Sequence, residues 1–308
     1  MNHMTVRDMQ DEIRRLAREK DVCILAHSYQ SHDILEIADE TGDSFRLARV
    51  AQNRKEKNLL VCGVRFMAET AAILCDGKRV CMPVYEAGCP MAEQFTREDL
   101  IALKKQYPGY TVVSYINTTA ALKTETDVCV TSSSAVRIVR EIQNDKILFI
   151  PDCNLGAYVA ECVPEKTVAL VNGGCPVHAA ITEAEVLAAK AAHENALFLV
   201  HPECKREVVR HADFAGSTAD IMRFARESDA REFIIGTENS IVNHLQYELP
   251  EKRFYPLSPR LVCTDMKLTA LPDILLALQG KGGKEITLDP ETARLARLPL
   301  LRMIEMGG

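Results

Sequence analysis

Tryptophan is absent from the 308 residues, aromatics make up 6%, and no basic block breaks the balance of 37 basic against 43 acidic side chains, a formal charge of −6. The electrostatic footprint that grips phosphate backbones is therefore missing, which excludes a nucleic-acid partner. Long apolar runs are missing too. The longest, such as ALFLV (196–200) and ILFI (147–150), fall far short of the roughly 18–20 residues of a membrane span, so no membrane association is expected. The opening stretch MNHMTVRDMQDEIRRLAREK has the pattern of a charged amphipathic helix (1–19) with no apolar signal core, which points to the cytoplasm. Clustered cysteine motifs are also lacking. The 11 cysteines stand apart, and in a reducing compartment such a set reads as thiols, metal ligands or small buried hydrophobes rather than a disulfide framework. With 47% hydrophobic residues the chain has ample material for a core.

What is present is one unit written three times. The apolar runs VCILAHSYQ (22–30), TVVSYINTT (111–119) and ALFLVHPEC (196–204) each break into polar, chemically capable residues. Aligning His27 with Tyr115 and His201 sets steps of 88 and 86 residues. Ser44, Ser132 and Thr218 then fall seventeen residues on, each read as the cap of an amphipathic helix, and Cys89, Cys175 and Cys263 fall 60–62 residues on. Second and third strands are expected at 59–64 and 80–84, 146–150 and 167–171, and 232–236 and 253–257. The copies run roughly 20–105, 106–190 and 191–265. A helical tail, 266–308, follows, with Pro290 opening its last helix. The βαβα rhythm predicts an α/β protein of three similar α/β/α domains with parallel sheets around a pseudo-threefold axis.

In parallel α/β sheets, ligands collect where strands end and helices begin. His27 and Tyr29, Tyr115 and Asn117, and His201 and Glu203 share that place and an x, x+2 spacing. Three equivalent hydroxyls at helix starts suit a small dicarboxylate or phosphate ester, and Glu203 stands where a general acid or base belongs. Three cysteines in equal register can meet at one point, the protein ligand count of a [4Fe–4S] cluster with one open iron. The glycines of AGCP and GGCP would let backbone approach so bulky a group. The other eight, Cys23, Cys62, Cys75, Cys81, Cys129, Cys153, Cys162 and Cys204, share no such register and read as small hydrophobes. A structural zinc site with His178 as an added donor explains the register less well. A non-enzymatic iron–sulfur sensor would not need His27, Tyr29 and Glu203 and would carry a basic reading element. A metal-free solute-binding protein leaves the cysteine register unexplained.

The motifs AHSYQ, GDS, CGVRFMAET, AGCP, SYINT, TSSSA, FIPDCNLGAYVA, NGGCPVH, HPEC, AGST, IGTENS and CTDMK, in this order along almost the whole chain, resemble the quinolinate synthase family. The resemblance implies one [4Fe–4S] cluster per chain on Cys89, Cys175 and Cys263. It implies condensation of iminosuccinate with dihydroxyacetone phosphate, with L-aspartate oxidase as upstream enzyme and potential partner. Its substrate residues match His27, Ser44, Met67, Tyr115, Asn117, Ser132, His201, Glu203 and Thr218, and Tyr29 matches a tyrosine implicated in catalysis. Glu203, Tyr29 and His27 are thus the expected catalytic residues. Arg65 and Val171 depart from the family's usual His and Trp.

Overall fold

Twelve short strands in the computed structural model, which describes residues 4–307, form three sheets of identical order. The first repeat supplies β1 (Val22–His27), β2 (Glu40–Gly42), β3 (Asn58–Cys62) and β4 (Arg79–Met82). The second supplies β5 (Thr111–Tyr115), β6 (Val128–Val130), β7 (Lys146–Ile150) and β8 (Thr167–Leu170). From the third come β9 (Leu197–Val200), β10 (Phe214–Ala215), β11 (Glu232–Gly236) and β12 (Arg253–Pro256). Each sheet runs second, first, third, fourth strand, all parallel. A thirteenth strand, β13 (Lys284–Glu285), adds antiparallel to β4 from the tail. Burial on both faces explains why the central strands are nearly continuous apolar runs.

The edge strands β2, β6 and β10 are absent from the sequence expectation. At two or three residues they carry no periodicity of their own and are set by pairing. What aligns them is a threefold device. Asp39, Asp127 and Asp213, each twelve residues after the aligned His27, Tyr115 and His201, accept the backbone N–H of Ile24, Val112 and Phe198 at 2.7, 2.8 and 2.7 Å. Short helices, His32–Leu35, Ala120–Lys123 and Arg206–Val209, precede these edges.

The N-terminal helix is Val6–Glu19, held by a Thr5–Asp8 capping box; of the expected span, positions 1–3 lie outside the described residues. Pro290 does begin the last helix, Pro290–Gly307. That helix buries Ala296, Leu300 and Met303 in a core shared by the first two repeats, while the third repeat packs around separate clusters.

Candidate functional site

One cavity, of ≈ 90 Å³, lies where the first strands of all three sheets end. His27, Tyr29, Ser44, Tyr115, Asn117, Ser132, His201, Glu203, Thr218, Cys89, Cys175 and Cys263 all line it, so three distant stretches of chain converge as the register requires. Met67 does not line it. Its side chain is buried one layer behind, in a small pocket with Leu47 and Val61 that touches the backs of Ser44 and Ile116.

The capping expectation needs correction. The caps are Asp43 and Ser217, which accept the amides of Arg46 and Asp220, so Ser44 and Thr218 are first helical residues whose hydroxyls are not spent on capping. Ser132 sits in the turn before the helix Ala135–Glu141, whose first residue follows Ser134.

Two equivalent contacts fix the histidines. The N–H of Tyr29 donates to His27 Nδ1 at 3.1 Å, and the N–H of Glu203 donates to His201 Nδ1 at 3.3 Å. An imidazole accepting at Nδ1 carries its proton on Nε2. His201 Nε2 donates to Ser132 Oγ at 3.2 Å, which leaves the Ser132 hydroxyl proton free to turn toward a bound anion. Burial, reinforced by Lys267, pushes His27 down to about 3, and burial pushes His201 down to about 4. Both are neutral N–H donors at physiological pH. Their folded values lie below the ordinary 6.5, so the unfolded chain binds the extra protons. The two histidines are therefore expected to cost stability as pH drops below 6.5, on the order of several kcal/mol between them at pH 4, an effect that Asp152 with its raised value opposes, and replacing either histidine by glutamine should flatten the fall of the thermal unfolding midpoint.

Glu203 is 4% exposed and central. Burial raises its pKa, but His201, His178 and hydrogen bonds from His178 and Tyr115 outweigh that and hold it down to about 2. The Tyr115 hydroxyl donates to Oε1 at 2.6 Å, and His178 Nδ1 lies 2.9 Å from Oε2. Tyr29 OH sits 2.9 Å from both Thr218 Oγ1 and Thr237 Oγ1. Burial, with Glu203 adding to it, keeps Tyr29 and Tyr115 protonated well above the ordinary phenol range. Glu203 thus stands as a proton acceptor beside two retained phenol protons.

Sequence reasoning passed over Asp152, Thr237 and Glu238 and weighed His178 only as a zinc donor. Asp152 and Glu238 follow the ends of β7 and β11 by two residues, as Thr237 follows β11 by one, so the strand-end rule applied to these strands would have found them. Asp152 is pushed up to about 7 by burial and by Glu203, and it accepts the Cys175 N–H at 3.0 Å. Glu238 is buried and pairs with Lys267 Nζ at 3.1 Å; that ammonium also donates to the Tyr29 carbonyl.

The three cysteines suit a group bound through thiolates. A backbone N–H three positions on, of Ala92, His178 and Met266 in turn, is close enough to each Sγ to favour the thiolate. Burial pushes all three thiols up, Cys89 to about 12, so three thiolates would be brought out there only by a bound cation. Two of the loops are tied together: Gln94 Nε2 donates to the Gly174 carbonyl at 2.9 Å, and its Oε1 accepts the Gly174 N–H at 2.8 Å. A Cβ on Gly173 would stand 2.6 Å from Phe95 and from the Pro151 carbonyl. Gly173 therefore permits close packing of protein on protein rather than approach to a ligand. Cys175, His178 and Glu203 also place one ligand atom each within 4.8 Å of one another, an arrangement able to hold a single metal ion. The remaining eight cysteines are buried or half-buried, and none lines the cavity.

Three parallel sheets that spend their strand ends on one buried centre of imidazoles, phenols, a carboxylate and thiols define an α/β enzyme whose single site is shared by three repeats. A family model described as quinolinate synthetase A protein matches residues 11–305, and the chain belongs to that family. It is 48% identical over 304 residues to the quinolinate synthase of Caldicellulosiruptor saccharolyticus, covering 99% of this chain and 100% of the relative. It is also 44% identical over 303 residues to that of Alkaliphilus metalliredigens (98% and 100% covered) and 45% over 298 residues to that of Methanoregula boonei (97% and 98%). Among the described residues, no helix is long and apolar enough to cross a membrane.

Proposed function

We propose that this chain condenses iminosuccinate with dihydroxyacetone phosphate to give quinolinate, phosphate and two waters. The chemistry balances without an oxidant or reductant. The observation that carries the proposal is the gathering, in one cavity, of anion-binding donors and of separate proton-holding and proton-accepting groups from all three repeats. Cys89, Cys175 and Cys263 would hold a [4Fe–4S] cluster, which when bound supplies a Lewis acid able to polarise a carboxylate, imine or hydroxyl oxygen.

The chain's own residues divide the remaining work. Ser44, Ser132, Thr218 and Asn117, with the Nε2–H groups of His27 and His201, present donors to carboxylate and phosphate oxygens. Glu203, ionised at neutral pH, accepts a proton during enolisation. Tyr29 keeps its phenol proton and supplies it to a departing hydroxyl, with His27 beside it, the two rings 4.6 Å apart. Burial of the site excludes bulk water, which would hydrolyse the imine.

Replacing Ser132 with alanine removes a hydrogen bond to a charged ligand, worth on the order of 1.5–3 kcal/mol. Affinity for a dicarboxylate analogue is expected to fall roughly ten- to hundredfold by calorimetry. Unchanged affinity would take Ser132 out of the anion site. The function itself is tested by giving anaerobically purified protein the two substrates. Quinolinate and phosphate should appear one for one, and an iron-replete protein that forms neither would overturn the proposal.

A further inference from the structure

Thr237 is fully buried, stands one residue beyond the end of β11, and does not line the cavity. Its hydroxyl nevertheless joins the two halves of the site. Oγ1 lies 2.9 Å from Tyr29 OH on one side and 3.0 Å from His178 Nε2 on the other. Beyond His178 stands Glu203, 2.9 Å from Nδ1, and beyond Tyr29 stands Thr218, 2.9 Å away. We propose that Thr237 is a positioning residue that anchors the Tyr29 hydroxyl at the cavity wall, holding its proton until a substrate oxygen accepts it, and thereby couples the Tyr29 end of the site to the Glu203 end.

The direction of these hydrogen bonds follows from the one member that can only accept. An ionised carboxylate has no proton to give, so His178 Nδ1 donates to Glu203, a stronger acceptor than the Cys175 sulfur 3.2 Å from the same nitrogen. In the neutral imidazole that leaves only the Nε2 lone pair for Thr237, which then donates to it and accepts from Tyr29. Tyr29 in turn accepts from Thr218. Every hydrogen bond in the row points toward Glu203, and the hydroxyl of Thr237 is the joint on which the order of the first two depends. Without that hydroxyl the phenol has Thr218 as its remaining partner, so its proton swings to the opposite side and His178 Nε2 is orphaned.

The inference rests on Tyr29 being the proton donor proposed above, and two readouts separate the two claims. In protein labelled with ¹³C at tyrosine Cζ, the Tyr29 resonance, identified by its loss in Tyr29→Phe, reports the phenol's hydrogen bonding without any turnover. Thr237→Val is expected to move that resonance, and Thr237→Ser to restore it. In cluster-replete enzyme, Thr237→Val should lower kcat at least about tenfold with both KM values within about twofold, while Thr237→Ser stays within about threefold of the parent. Should valine prevent folding, Thr237→Ala carries the same readouts. A Tyr29 resonance indifferent to the loss of the hydroxyl overturns the inference, as does a Thr237→Ser enzyme as slow as Thr237→Val. A moved resonance with unchanged kcat upholds the joint and overturns the assignment of Tyr29 as donor.

Discussion

Replacing Glu203 with glutamine is expected to slow quinolinate formation at least about a hundredfold, the contribution a positioned proton-transfer group makes, while iron content and affinity for a substrate analogue stay near those of the parent. The geometry is the reason. The carboxylate is buried and held by the Tyr115 hydroxyl at 2.6 Å and by His178 at 2.9 Å, so it is ionised and already aimed. Glutamine fills the same space and can still accept from Tyr115. Its amide N–H₂ then faces His178 Nδ1, donor against donor, and it has no basic oxygen to take a proton. Single-turnover rates on cluster-replete protein measure the effect. Near-normal turnover would move the proton-accepting task elsewhere in the site. Loss of the cluster instead would show that Glu203 works through the His178 and Cys175 contact as a structural support.

A second large effect is expected at the three cysteines in equal register. Ala at Cys89, Cys175 or Cys263 should each abolish the brown absorption at roughly 400 nm, where thiolate-to-iron charge transfer falls, and with it quinolinate formation. Cys153→Ala and Cys162→Ala should leave both largely intact, because these side chains lie outside the cavity lining. The set of three decides between two ways of holding metal. A single ion on Cys175, His178 and Glu203 would be lost with Cys175 alone and would survive at Cys89→Ala and Cys263→Ala. A cluster bound by one thiol from each repeat is lost in all three. Iron and sulfide assays on anaerobically purified variants read the difference.

Much of this site is legible in the chain because repetition turns spacing into geometry. Once His27, Tyr115 and His201 are aligned, equal register alone brings Ser44, Ser132, Thr218 and the three cysteines to one place, and the central strands announce themselves as buried apolar runs. The edge strands stay hidden because two or three residues carry no period, although the aspartates that staple them, Asp39, Asp127 and Asp213, recur as regularly as the cysteines. Capping is misassigned for a related reason. At Asp43–Ser44 and Ser217–Thr218 two candidate caps are adjacent, and only backbone angles decide which is extended: Asp43 and Ser217 are, at φ −80° and −61° with ψ 177° and 167°. Met67 stands behind the cavity wall, in a pocket shared with Ser44 and Ile116, a neighbourhood that its place in the sequence alone does not reveal. Thr237 escapes notice, and His178 is weighed only as a zinc donor, because their roles depend on partners far along the chain, Tyr29 and Glu203.

The central claim is that three equivalent stretches of one chain build a single condensing site. Its most direct test is an anaerobic crystal structure of the cluster-replete protein with a dicarboxylate analogue of iminosuccinate. The expected result is a [4Fe–4S] cluster ligated by Cys89, Cys175 and Cys263, with the analogue's oxygens touched by side chains of every repeat, among them Ser44, Ser132 and Thr218. A lone metal ion on Cys175, His178 and Glu203, or an analogue held by one repeat only, would contradict it.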